Sequence, residues 1–132
     1  MSDSAGPVKV MLVESDPGVL RGLESALVGL PVRVSSASRG EAALATLPGF
    51  APDIVLSGFQ LAGMDGQAFL ALVQRRHPRA FCVLYADGLV PPRFDCDFPV
   101  LAKPCAPDAV RYLVAGLISE VRVRDASRGD RI

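Results

Sequence analysis

Five short apolar runs alternate along this chain with stretches of helical period, and that alternation limits the folds open to it. The runs are Val8–Val13 (VKVMLV), Val32–Ser36, Asp53–Ser57, Phe81–Tyr85 (FCVLY) and Phe98–Ala102 (FPVLA). Each has the length of a strand, and most are apolar throughout rather than at every second residue. A strand of that kind is covered on both faces, as in a parallel sheet. The segments between them carry apolar residues at a spacing of 3.6. After Asp16-Pro17, an N-cap followed by a proline at the first helical position, come Val19, Leu20, Leu23, Ala26, Leu27 and Leu30, with Pro31 as the stop. Ser38 is placed to cap a second helix through Leu47, closed by Pro48-Gly49. A third helix is predicted over Gly66–His77, with Ala68, Phe69, Leu72 and Val73 inward. A last one is predicted over Pro107–Val121, with Val110, Leu113, Val114, Leu117 and Ile118 inward.

Strands that alternate with helices in a chain of 132 residues predict one α/β domain. The expected architecture is a flavodoxin-like, doubly wound, five-stranded parallel sheet of order 2-1-3-4-5. One crossover breaks the pattern. Between Tyr85 and Phe98 stands ADGLVPPRFDCD, too short for a helix with two connections and interrupted by Pro91-Pro92. A loop or a single turn is expected over Asp87–Asp97, leaving the fourth helix shortened or missing. Leu89, Val90 and Phe94 would then either be apolar contacts for a partner or fold back over its footprint, the latter favoured because an uncovered sheet face is a large apolar patch. Residues 1–7 read as a loose lead-in, 8–121 as the domain, and 122–132 as a charged tail, either a frayed end or the start of a linker.

Composition narrows the function classes. The 14 basic and 14 acidic residues cancel, which argues against a nucleic-acid or anionic-membrane surface. No apolar run approaches the ~20 residues of a membrane span. The start lacks the basic-then-apolar layout of a secretion signal, so the cytosol is the expected compartment. Cys82, Cys96 and Cys105 are odd in number and form no CxxC pair, and the single His77 completes no familiar metal set. No metal or cofactor is expected. His77 reads as a helix terminus, and Arg75, Arg76 and Arg79 as a solvated helix end. Cys105 is a minor candidate for a thiol activated by Lys103.

In such a sheet the ligand crevice lies beyond the carboxyl ends of the strands. Those ends deliver Glu14, Ser15 and Asp16 from the first strand, Ser57 and Gly58 from the third, Tyr85 and Ala86 from the fourth, and Lys103-Pro104 from the fifth. The segments MLVESDPGVL, PDIVLSGFQLAGMDG, VLYADG and LAKPCAPDAV, in this order, resemble a bacterial response-regulator receiver domain over roughly residues 8–120. The resemblance implies a phosphate-accepting aspartate at the position of Gly58. It implies an acidic pair for Mg²⁺ at Glu14 and Ser15, a Ser or Thr hydroxyl at Tyr85, a switching aromatic at Val100, and the retained Lys103. Aspartyl phosphate formation needs a carboxylate nucleophile and a hard cation. Gly58 offers no side chain, and one of the paired acids has become Ser15. Ser57 is no substitute, because adjacent strand residues point to opposite faces.

The chain is therefore expected to be a pseudo-receiver. It would be non-enzymatic, lack the phosphoacceptor, and act by binding a protein partner or a second copy of itself. The pocket is expected to be plugged, with Tyr85 lying over the space left at Gly58 or else facing outward on the rim of the sheet, and Lys103 either paired with Glu14 or turned to solvent. The alternative is a switch still responding to phosphate, metal, a small ligand or a redox signal through a non-standard residue.

Overall fold

A computed structural model describes residues 6–87, 98–103 and 106–129. Strand β1 (Val8–Val13) leads into helix α1 (Pro17–Ala26), then β2 (Val32–Ala37), α2 (Gly40–Phe50) and β3 (Ile54–Gly58). Two short strands, β4 (Gln60–Leu61) and β5 (Met64–Asp65), precede α3 (Gly66–Arg76). The chain continues through β6 (Phe81–Asp87), β7 (Val100–Lys103) and the long α4 (Pro107–Gly129). The main sheet is parallel, in the order β2-β1-β3-β6-β7. Counting only its five strands, this is the expected order 2-1-3-4-5 of a flavodoxin-like α/β fold.

The alternation of side chains along each strand divides the core in two. Val8, Val10, Leu12, Ile54, Leu56, Val83 and Tyr85 face one side, where Leu23 and Leu27 meet Val110, Val114, Ile118 and Val121. Met11, Val13, Val55, Cys82 and Leu84 face the other, against Ala43, Leu47, Phe69, Leu70 and Val73. Helices α1 and α4 thus cover one face, and α2 and α3 the other. Burial on both sides is why β1 and β3 are apolar throughout. Strand β2 lies at the edge and is half exposed.

Several boundaries differ from those read in the sequence. Helix α1 ends at Ala26, four residues before the expected last position, Leu30. A turn follows in which Leu27 and Leu30 still point inward, Gly29 taking a φ of 89°. Helix α2 is capped by Arg39, with no side-chain hydrogen bond, rather than by Ser38. It also runs through Pro48 and stops at Ala51, whose left-handed φ of 50° ends it. Pro48 has no amide to give the Leu44 carbonyl, so the helix forgoes one hydrogen bond in its last turns. Strand β6 runs two residues past Tyr85, and β7 begins two residues after Phe98. The Gly-rich turn after β3 is a small antiparallel hairpin, pairing Gln60 with Asp65 and Leu61 with Met64, with Gly63 at φ 77°. Helix α4 continues eight residues beyond Val121.

The expected loop in place of a fourth crossover helix, including Leu89, Val90 and Phe94, lies outside the described residues. Among the described residues no helix is long and apolar enough to cross a membrane.

Candidate functional site

Parallel registration brings the carboxyl ends of β1, β3 and β6 together. Val13 is level with Ser57, and Gly58 is level with Tyr85. Glu14 follows β1 directly, and its amide donates to the Ala37 carbonyl at 3.1 Å, which fixes its backbone beside the sheet. Its side chain is buried, at 3 % exposure. The carboxylate lies against Gly58. A Cβ placed on that glycine would sit 2.7 Å from Oε1 and 3.3 Å from Cδ of Glu14. The room at Gly58 is therefore taken by an acid arriving from the neighbouring strand.

The other two members of the acidic stretch have local duties. Ser15 is exposed, and its hydroxyl donates to the Gln60 carbonyl at 3.2 Å, tying the β1–α1 turn to the hairpin. Asp16 is exposed and caps α1, its Oδ1 accepting the amides of Gly18 at 2.8 Å and Val19 at 3.2 Å. The Asp16 amide in turn donates to Glu14 Oε2 at 3.1 Å. Hard divalent cations need several oxygens free to turn toward one point. Here Glu14 packs against Gly58 and accepts an amide, Ser15 donates to a carbonyl, and Asp16 caps a helix terminus. Among the described residues no three Asp, Glu, His or Cys side chains converge. These residues do not fit the Mg²⁺ that the family resemblance implies.

Ser57 is fully buried, and its hydroxyl donates to the Gly58 carbonyl at 2.9 Å. It lies on the Val55 side of β3, away from Gly58, as strand alternation requires. The turn beyond is close-packed. Gly66 donates its amide to the Phe59 carbonyl at 2.7 Å, and a Cβ at Gly66 would fall 1.9 Å from the Gly58 carbonyl oxygen. Only glycine lets the start of α3 approach the end of β3 this closely.

Tyr85 is 7 % exposed and lies in the core cluster shared by α1 and α4. It borders a recess of about 130 Å³ with Val19, Gly22, Leu23, Pro107 and Val110. Tyr85 and Gly58 share a face of the sheet, but the three atoms nearest the Gly58 Cβ position all belong to Glu14. The tyrosine fills the inter-helix side of the site, so an outward-facing ring on the rim is excluded. Val100 is 48 % exposed at the start of β7. The backbone of Lys103 ends β7, level with Asp87. Its expected pairing with Glu14, like Pro104, Cys96 and Cys105, lies outside the described residues. Cys82 is buried, which pushes its thiol up to about 12. His77 closes α3 through its backbone amide, bonded to the Val73 carbonyl at 2.7 Å.

Sequence reading named the residues of the site but not its filling. The usable signal was a longer acid standing beside a missing side chain. Glutamate exceeds aspartate by one methylene, enough to reach across to the neighbouring strand. Gly66 and its contact with the Gly58 carbonyl carried no such signal.

Comparison with known proteins bears on the family and the fold. Residues 10–87 match the response regulator receiver domain family. The chain is 30 % identical over 124 residues to the DNA-binding transcriptional regulator NtrC of Salmonella typhimurium, covering 90 % of this chain and 26 % of that one. It is 30 % identical over 109 residues to the transcriptional regulatory protein GlrR of Escherichia coli, covering 79 % and 24 %. The chain thus spans about a quarter of the length of the curated relatives it matches. In fold it is similar to the signal receiver domain of a LuxO repressor protein from Vibrio parahaemolyticus. There the TM-score is 0.82 at 15 % identity, covering 92 % of this chain and 97 % of that one.

Proposed function

This chain belongs to the response-regulator receiver family, and from that premise we propose that it is a pseudo-receiver, a signalling module that works without phosphorylation and through protein–protein contact. The observation that carries the proposal is the buried Glu14 carboxylate beside Gly58, 2.7 Å from where a side chain there would begin. A receiver responds because a phosphoryl group at the end of the third main-sheet strand favours one conformation over another. Here the matching position has no nucleophile, and the buried Glu14 side chain already holds the space. An incoming phosphoryl group would find that room occupied and no carboxylate on residue 58 to accept it. A ligand that does not distinguish two states cannot shift their populations. The domain therefore keeps one conformation at this site and acts as a scaffold in the cytosol rather than as an enzyme.

The cancelling charge supports a protein partner or a second copy of the chain over nucleic acid. Any DNA contact in a protein built like NtrC would fall to regions outside this domain.

Amide NMR spectra recorded with Mg²⁺ and beryllofluoride, and again with acetyl phosphate, test the reading. No change around Glu14, Gly58 and Tyr85, and no phosphoryl adduct in the intact mass, are expected. Saturable shifts clustered at those residues would instead establish a switch operating through a non-standard residue.

A further inference from the structure

At the pole of the sheet opposite Glu14, helix α4 loses its apolar anchorage. Among the described residues Val121 is the last buried one, at 2 % exposure, and Val123 is already 64 % exposed. Arg122, Asp125, Ala126 and Ser127 are exposed as well. A helical end without burial frays, because the hydrogen bonds of its last turns alone do not hold it. Yet the helix continues to Gly129. Among the described residues beyond Val121, only Arg124 turns back, with 20 % of its side chain exposed.

Arg124 uses its whole guanidinium. Nη2 lies 3.3 Å from Asp53 Oδ1, Nη1 donates to the Arg79 carbonyl at 2.6 Å, and Nε meets Asp125 Oδ1 at 3.0 Å. The group also lies 5.9 Å from the centroid of the Phe81 ring. Its main partner is itself a junction. Asp53 Oδ2 accepts the Lys9 amide at 2.9 Å, the Asp53 amide donates to the Lys9 carbonyl at 2.8 Å, and its carbonyl accepts the Phe81 amide at 2.9 Å. One aspartate thus joins the entries to β1, β3 and β6, and one arginine ties the far end of α4 to all three.

We propose that Arg124 is a positioning residue, a latch that docks the last turns of α4 on the amino-terminal pole of the sheet and fixes the direction in which the helix leaves the domain. The device needs a planar fork and a half-buried carboxylate, which a lysine's point charge does not reproduce. It lies across the sheet from the Glu14–Gly58 site and does not rest on the function proposed for that site.

Amide hydrogen exchange on the whole chain tests the latch, with the amides of Val110–Ile118 as the internal reference. In Arg124→Ala, exchange at 123–127 is expected to rise about tenfold or more while the reference stays within about twofold. Arg124→Lys is expected to restore less than half of the lost protection. Asp53→Asn, which keeps an acceptor for the Lys9 amide, is expected to give the same local pattern. Adding it to Arg124→Ala is expected to change 123–127 by less than about twofold, because the two act as one unit. Unaltered exchange at 123–127 in Arg124→Ala would overturn the proposal. So would equal acceleration along the whole of α4, which marks general destabilisation.

Discussion

Glu14 and Gly58 form a compensating pair, one side chain longer by a methylene and the other absent. The pairing predicts how substitutions behave. Gly58→Ala forces a methyl to within 2.7 Å of a buried carboxylate and is expected to cost about 1–3 kcal/mol, the usual range for overpacking. In a Glu14→Ala background the same change should cost much less, and a double-mutant cycle by urea denaturation reads the coupling. Equal costs in both backgrounds would show that the carboxylate is not what fills the space. Cys82 is a second residue whose chemistry follows from burial. With its thiol raised to about 12, it stays protonated and unreactive at neutral pH. A disulfide reagent at pH 8 is expected to label it only after denaturant is added. Rapid labelling in the native protein would contradict that burial.

Among the elements, α1 depends most visibly on one side chain. Asp16 supplies two of the hydrogen bonds that the first turn lacks. Asp16→Ala is expected to cost about 1 kcal/mol, and Asp16→Asn to recover most of it, measured as shifts in the denaturation midpoint. Asp16 was read as this cap from the Asp-Pro pair alone, because capping is local chemistry. The cap of α2 was misread for the opposite reason. Gly40, the first residue of α2, packs against Met64 of the hairpin, where a Cβ would come within 2.8 Å of the sulfur, a contact that local sequence does not encode. Ser38 had the better local chemistry, but the cap is Arg39. The hairpin is also tied to α3 through Gly66, and Gly66→Ala, with its Cβ 1.9 Å from the Gly58 carbonyl, is expected to cost about 3 kcal/mol or more.

For the whole molecule, burial of Cys82 has a consequence at alkaline pH. The unfolded thiol ionises from about 9, while the folded one keeps its proton to about 12. Above pH 9 the unfolded chain binds fewer protons, so the stability present below that pH falls as pH rises, by at most ~1.4 kcal/mol per unit. Urea midpoints at pH 8 and pH 10 should therefore differ less in Cys82→Ala than in the parent chain. The two-sided core that buries this thiol was legible in advance. Apolar runs such as VKVMLV and FCVLY mark strands covered on both faces, and short crossovers leave few topologies, so strand order followed from patterning and connection rules. That Glu14, Ser15, Gly58 and Tyr85 would be neighbours was also legible, since they stand at strand ends that any such sheet brings together. Patterning specifies which face a residue takes and which strand it neighbours. It carries no information on where a long side chain ends or on what meets across the sheet. The reach of Glu14 into the space at Gly58, the turning of Tyr85 toward the helices, and the tie between Asp53 and Arg124 were settled only in three dimensions. Each joins residues far apart in the chain, and packing, rather than local propensity, sets those distances.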